Sequence, residues 1–278
     1  MTKRQRIRAL AFSLFLSTLA VPAAHAEQPI FDEMPRWTGG WGIQLMQELI
    51  TRDDENTAAA PGFSHSEESI HLTHIQGVYT WDKAIRVTTK VPVVLFAEKT
   101  TSTGTGGETR TVQDRGLGDP TLALPLKYYF NLDGRSGSWT LTPQVRVPAG
   151  GKDEYNVYSR NWATGLSGGY ASETSLFYLM TGLGAWYEYG EAPLQSDVYV
   201  HFGVNYQVGD MNGHIILKQY GKYAEDQRVS YAMGPTIYLR IIDAFHIQLQ
   251  TRHDLYSWSL NEVNRREHSF RVGAAVVY

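Results

Sequence analysis

The sequence of 278 residues predicts one antiparallel β-barrel of about twelve strands that spans a membrane. Apolar and polar residues alternate in runs of about 10–14 residues, and a period of two is the pattern of a strand with two different faces. The connections between these runs are alternately short and long, and the last run continues to the final residue, Tyr278. An even number of strands with short turns at one end and long loops at the other is typical of outer-membrane barrels.

The chain begins with a segment typical of a cleaved signal peptide. An apolar stretch over 9–21 is followed by Ala24 and Ala26, small residues that favour cleavage after position 26. This stretch is shorter than the roughly 20 apolar residues that a transmembrane helix needs. We therefore expect export, loss of residues 1–26, and a barrel formed by residues 27–278. The basic residues that precede the apolar stretch are Lys3, Arg4, Arg6 and Arg8.

Twelve alternating runs follow one another along the mature chain, with boundaries defined to within about 2–4 residues. Asp133-Gly134 and Gly209-Asp210 mark tight hairpins, because such pairs supply the positive φ that these turns require. With a periplasmic N-terminus, the short turns lie on the periplasmic side and the long polar loops lie outside. The predicted strands are 40–50, 68–79, 84–97, 117–130, 138–148, 162–171, 174–187, 197–208, 213–222, 228–240, 244–256 and 268–278.

Each run has one apolar face and one polar face. Val198 and Phe202 share the apolar face of their run, while His201 lies on the other. Periodicity alone does not distinguish a barrel with apolar residues toward lipid from a soluble sandwich with apolar residues in its core. Aromatic residues near both ends of the runs favour the barrel, because aromatic rings concentrate at the two membrane interfaces. These predicted belts include Tyr238 at the short-turn ends and Trp186 at the long-loop ends.

The polar faces place more cations than carboxylates in the predicted lumen. Glu48 and Asp119 are the only inward carboxylates that the strand ranges predict. Arg and Lys side chains in a narrow pore attract anions. Alternatively, inward-folded loops or the mature N-terminus, with Glu27, Asp32 and Glu33, neutralise them. The predicted pore-lining residues are Arg86, Lys90, Asp119, Lys127, Arg146, His201, Arg240, His246, Arg252 and Arg271.

Composition excludes several kinds of chemistry and partner. The absence of Cys excludes disulfides and thiol chemistry. Four of the 25 basic residues leave with the signal peptide, so 21 face 28 acidic residues and the formal net charge becomes −7. This balance argues against a nucleic-acid partner. The spacing of the His residues predicts no metal site, and we expect no cofactor.

The last run resembles the closing strand of bacterial outer-membrane barrels. Those proteins end on an alternating strand with a terminal aromatic residue, which looks like the signal read by their insertion machinery. The resemblance implies the outer membrane of a Gram-negative bacterium, with lipid, lipopolysaccharide and the barrel-assembly machinery as partners. The residues that carry it are Phe270, Val272, Ala274, Val276 and Tyr278.

The sequence offers no motif for a catalytic role. Some outer-membrane barrels are lipid hydrolases, and on a strand a His and a Ser two residues apart share a face and can hydrogen-bond. The sequence contains no His-x-Ser. We therefore predict no catalytic residue and no enzyme, although a lipid hydrolase stays among the alternatives.

One segment is similar to the outer-membrane family described as the MetA pathway of phenol degradation. The segment Gly116-Leu117-Gly118-Asp119 precedes Lys127-Tyr128, and Val147-Pro148-Ala149-Gly150 follows. In that family a Gly-Leu-Gly-Asp segment opens a strand that ends in Lys-Tyr, and a Leu-Pro-Thr-Gly stretch follows; Ala149 departs from its Thr. The resemblance implies a barrel linked to uptake of aromatic or other hydrophobic compounds.

Two solute classes follow from these observations for a barrel that passively admits small molecules. The resemblance implies aromatic or other hydrophobic compounds, and the predicted lumen indicates small organic anions. A non-transporting structural barrel is the alternative in which the interior is closed by ion pairs.

Overall fold

The computed structural model describes residues 39–56, 64–103, 109–132, 135–149, 155–190, 194–208, 211–224, 228–258 and 263–278. Several sequence predictions lie outside these ranges. They are the signal peptide (1–26), Glu27, Asp32 and Glu33, and the Asp133-Gly134 and Gly209-Asp210 turns.

The described residues form one antiparallel sheet of fourteen strand segments. These are β1 Gly40–Asn56, β2 Ser64–Thr80, β3 Arg86–Thr103, β4 Thr109–Leu117, β5 Thr121–Ala123, β6 Leu126–Leu132, β7 Arg135–Arg146, β8 Ala163–Glu173, β9 Phe177–Glu188, β10 Leu194–Val208, β11 Met211–Ala224, β12 Arg228–Ile242, β13 Phe245–Trp258 and β14 Val263–Val277. Segments β4, β5 and β6 follow one another between β3 and β7, so the wall has twelve strand positions. The prediction of a twelve-stranded antiparallel barrel is confirmed.

The first and last strands close the barrel. β1 pairs with β14 along nearly its whole length, and the other neighbours follow chain order. The Tyr278 N–H donates to the Trp41 carbonyl at 2.8 Å, so the pairing reaches the final residue. The predicted insertion residues share the outward face of this closing strand: Phe270, Val272, Ala274, Val276 and Tyr278.

Strands around the closure are longer than the sequence predicted. The predicted loops 51–67, 98–116 and 257–267 are wrong in part, because β1 to β4 and β14 extend into them. Beyond the apolar zone both faces of these strands carry polar residues. The apolar–polar alternation therefore disappears although the hydrogen-bonded ladder continues.

The wall is interrupted between β4 and β6. Pro120 and Pro125 lie in the gaps on either side of β5, and proline has no N–H to donate to a ladder. Gly116 has φ +117°, a conformation that favours glycine, so it allows the chain to turn out of β4. A Cβ on Gly118 would lie 2.5 Å from the Tyr158 ring, so glycine also permits close packing there.

Apolar side chains cover the outside of the barrel, and polar side chains fill its inside. Leu45 and Phe202 are exposed on the outer face, whereas Gln44 is buried on the inner face. Transmembrane barrels show this inversion. Two belt assignments are wrong, since Trp186 and Tyr238 are buried inside. Within the described residues, no helix has the length and apolar character needed to cross a membrane.

The segment 155–162 between β7 and β8 folds into the barrel from the long-loop end. Tyr155, Val157 and Tyr158 are buried against apolar side chains of the first three strands. The sequence had placed 149–161 in an external loop, with inward folding of loops as an alternative, and the inward position is the one found. The wall residues of this apolar cluster are Ile50, Ile70, Leu72, Val94 and Ala97.

Candidate functional site

The candidate site is the lumen, and the predicted pore-lining residues lie on its side of the wall. Asp119 reaches it from the connection between β4 and β5, and the others lie on strands. Lys127, Arg240 and Arg271 are partly exposed. The buried members of the set are Arg86, Lys90, Asp119, Arg146, His201, His246 and Arg252.

The lumen contains more carboxylates than the sequence predicted. Glu68, Asp114, Glu188 and Asp197 are buried on the inward side. The prediction that Glu48 and Asp119 were the only inward carboxylates is therefore wrong. The four additional residues lie at or beyond the ends of the predicted strands, and the longer strands carry them into the wall.

Several of the predicted cations form ion pairs with carboxylates of the wall. Arg146 Nη2 lies 2.7 Å from Glu188 Oε2, and both side chains are almost inaccessible to solvent. Arg271 Nε lies 2.6 Å from Glu48, which also contacts His74 at 2.7 Å. Carboxylates of other strands, rather than of loops, therefore neutralise these cations, and the anion-attracting field of the lumen is weaker than the sequence indicated.

A second charged network lies toward the long-loop end. Arg52 contacts Glu68 at 2.8 Å and Glu267 at 2.7 Å, and Arg252 lies 3.6 Å from Glu267. The Tyr155 hydroxyl donates to Glu68 at 2.8 Å, which ties the inward segment to the wall. Burial, together with the Glu68 carboxylate, raises the pKa of the Tyr155 phenol well above its usual range.

Asp119 holds the backbone of the inward segment at Arg160 and also binds the backbone just after β7 at Ala149. Its carboxylate accepts the N–H of Ala149 at 3.0 Å and the N–H of Arg160 at 2.9 Å. The Arg160 guanidinium donates to the carbonyls of Leu117 and Ala149. Asp119 was predicted to line the pore, and its cation partner is Arg160 of the inward segment, at 3.5 Å. The Gly-Leu-Gly-Asp stretch thus holds a loop in place.

Aromatic and imidazole rings line the opposite wall, from β9 to β13. Tyr178, His214, Tyr238 and His246 form a stack near the short-turn end, with centroid separations of 5.9, 4.8 and 5.6 Å along the series. The Tyr238 hydroxyl also hydrogen-bonds the His246 ring. We call this row the ring column.

A second group of rings lies nearer mid-height on the same wall. The His201 ring is 4.9 Å from Tyr199 and 5.2 Å from Tyr220. Lys218 is the register partner of His201 and donates to Gln250 at 3.4 Å. We call these residues the Lys218 cluster.

Sequence reasoning included only His201 and His246 of these rings. The alternation along each strand could have identified the other rings. Tyr199, Tyr220 and Tyr238 occupy the same face of their strands as the inward polar residues. Tyr238 was instead assigned to the belt at the short-turn ends, and Tyr199 and Tyr220 were given no role. Flat rings on the wall offer stacking surfaces to planar solutes.

The fold and its polar, ring-lined interior define a transmembrane β-barrel protein of the outer-membrane type. Neither a family model nor a curated protein matches the sequence. Among solved structures, the COG4313 outer membrane channel from Pseudomonas putida F1 is similar at TM-score 0.63 and 14% identity, over 91% of this chain and 100% of that one.

Two further solved structures match at lower TM-scores. The translocator domain of the autotransporter NalP from Neisseria meningitidis matches at TM-score 0.40 and 9% identity, over 99% of this chain and 95% of that one. The CymD monoaromatic hydrocarbon channel matches at TM-score 0.40 and 8% identity, over 87% and 89%.

Proposed function

We propose that the protein is an outer-membrane channel through which small molecules cross passively. The observation that carries this proposal is the closed barrel with an apolar exterior and a polar, ring-lined interior. A wall of this kind separates a solute from lipid along the whole crossing. The similarity to the Pseudomonas putida outer membrane channel agrees with this proposal.

Aromatic or other hydrophobic compounds and small organic anions are the proposed solutes. The ring column supports the first class, because ring faces attract planar apolar molecules. The resemblance of residues 116–119 and 127–128 to the MetA-pathway family points to the same class. Arg146 and Arg271 are paired with carboxylates. A strong general preference for anions therefore has less support than the sequence alone suggested.

The location and partners follow from the same proposal. Residues 1–26 direct export, and the barrel-assembly machinery reads the closing strand that ends at Tyr278. Lipid and lipopolysaccharide of a Gram-negative outer membrane then surround the apolar exterior.

Liposome swelling tests the proposal, with two adjacent substitutions on β13 as the decisive pair. Gln248 is buried inside and Ile247 lies on the outer face. We expect purified protein to admit small solutes such as arabinose and benzoate. Gln248→Trp should slow their entry severalfold, while Ile247→Trp should not. A passage through the lumen would be contradicted if the wild type admitted no solute, or if both substitutions had equal effects.

A non-transporting barrel is the second candidate, and the inward segment favours it. Residues 155–160 occupy the long-loop end of the lumen, and most inward side chains along the wall are buried. Such a barrel would give no swelling with any solute. A lipid hydrolase gains no comparable support from the lumen.

A further inference from the structure

We propose that the Lys218 cluster is a binding site for the carboxylate of a planar aromatic acid. This inference rests on the proposed function, because it assigns a solute class to the same lumen. The ammonium of Lys218 binds the carboxylate, and the rings of Tyr199, His201 and Tyr220 contact the aromatic part.

The first observation is that Lys218 is a buried cation with no counter-ion among the residues that the structure describes. Its side chain is only 8% exposed, and its hydrogen bond goes to the neutral amide of Gln250. Within the described part of the chain, no carboxylate pairs with Lys218. By contrast, inward cations such as Arg146 and Arg271 contact carboxylates at 2.7 and 2.6 Å.

A buried ammonium without a negative partner is unfavourable for the fold. Removing a charge from water costs several kcal/mol, on the order of what a close ion pair returns. Arg146 and Arg271 recover this cost from carboxylates of the wall. Lys218 has no such carboxylate among the described residues. A ligand that brings a carboxylate to Lys218 supplies the missing partner.

The second observation is that two buried polar atoms beside Lys218 have no hydrogen-bond partner among the described residues. His201, 4% exposed, has a buried Nε2 with no hydrogen-bond partner among the described residues. Thr236, the register partner of Gln250, has a buried hydroxyl in the same condition. Buried polar groups are normally paired, so these two atoms mark where ligand or water oxygens bind. Together with Lys218 they surround one stretch of the wall.

The rings decide the kind of anion. His201 contacts Tyr199 and Tyr220, and the same face of β11 continues from Lys218 to His214 of the ring column. An inorganic anion or acetate would use the ammonium and leave these ring faces unused. A planar aromatic acid uses both, since stacked aromatic pairs add to the burial of their area. The ring column then offers further contacts toward the short-turn end.

Ligand binding in detergent micelles tests the site without requiring transport. We would titrate purified full-length protein with benzoate, cyclohexanecarboxylate, acetate and benzyl alcohol, using calorimetry or saturation-transfer NMR. These probes separate the charge from the planar ring. We expect the wild type to bind benzoate more tightly than each of the other three.

Substitutions then assign the binding to named groups. Lys218→Met should weaken benzoate about tenfold or more, the range for a lost hydrogen bond to a charged group, whereas Lys218→Arg should keep most of the affinity. Tyr220→Leu should remove the preference for benzoate over cyclohexanecarboxylate while acetate binding stays unchanged. Lys83→Met is the control, because it removes the same charge from an exposed turn. Circular dichroism and heat-modified gel mobility would show which variants are folded.

Two results would overturn the inference. One is equal benzoate affinity in the wild type and folded Lys218→Met, or an equal loss in Lys83→Met. The other is wild-type affinity for acetate as high as for benzoate. Failure of the channel proposal looks different, because benzoate would bind as expected while liposomes failed to swell with any solute.

Discussion

At Glu48, one carboxylate meets partners from two neighbouring strands. Arg271 on β14 lies 2.6 Å away and His74 on β2 lies 2.7 Å away, and both Glu48 and His74 are almost inaccessible. This contact crosses the seam where β1 closes on β14. Because removal of one member leaves its partner buried without compensation, the triplet stabilises the closure more than its surface equivalents would.

We expect Glu48→Gln to lower the free energy of unfolding by about 3–5 kcal/mol, the usual cost of breaking a buried ion pair from one side. Glu98→Gln is the control, because Glu98 bonds Gln113 at an exposed site on the β3 extension. Its cost should stay below about 1 kcal/mol. Denaturant unfolding in micelles measures both, and equal losses would contradict a special role for the seam.

Sequence reasoning at this scale predicted which way side chains point, but not which partners they meet. The parity of Arg146 along its own strand placed it inside correctly. Its partner Glu188 is 42 residues away on β9, and their contact depends on the register across β8. Alternation within one strand fixes the face on which a residue lies, whereas the register between strands also depends on the turns that join them. The ion pairing of the lumen therefore emerged only from the structure.

At the scale of elements, the inward segment 155–162 is held by carboxylates of the interrupted strand. Asp119 accepts two backbone N–H groups, and Asp114 accepts the N–H of Val157 at 2.8 Å. The sequence predicted neither the fold of this segment nor its anchors, because its apolar residues Val157 and Tyr158 are too few to show a period. Irregular segments gain their position from partners elsewhere in the chain.

Loss of an anchor should open the long-loop end of the barrel. We expect Asp119→Ala to raise single-channel conductance severalfold in planar bilayers, because two backbone N–H groups lose their acceptor and the segment leaves the lumen. Asp82→Ala is the control, since Asp82 also accepts two backbone N–H groups but in an exposed short turn. Unchanged conductance in folded Asp119→Ala would mean that the segment does not limit passage.

The same segment should respond to alkaline pH through Tyr155. A phenol has an ordinary pKa of 10.0, and burial together with Glu68 raises the pKa of Tyr155 while the segment lies in the lumen. The Tyr155 hydroxyl therefore keeps its proton to higher pH when the segment is inside the lumen than when it has left. Its stabilisation is complete below pH 10 and falls as pH rises above that value. We expect wild-type conductance to increase above pH 10, whereas Tyr155→Phe, which has no phenol at this position, should increase less over the same range.

At the scale of the whole molecule, the apolar face of the wall points outward and the polar face points into the lumen. A soluble sandwich would bury the face that carries Phe202 and expose the face that carries His201. In the barrel Phe202 is 49% exposed and His201 is buried. The twelve-stranded wall could be predicted because the apolar–polar alternation and the loop lengths repeat along the chain. The extended ends of β1 to β4 and β14 and the interruption around β5 break that repetition, so they could not be predicted.

A charge on the outer face distinguishes the two orientations. Phe202 lies near the middle of β10, and Arg at the centre of a lipid-facing strand costs about 2–4 kcal/mol. Val229 is also exposed but lies at the long-loop end of β12, where the same charge should cost at most about 1 kcal/mol. Folding into liposomes at increasing denaturant would measure the two costs for Phe202→Arg and Val229→Arg. Similar costs at both depths would contradict a membrane around the barrel, because the penalty for Arg on a lipid-facing strand falls from the midplane to the interfaces.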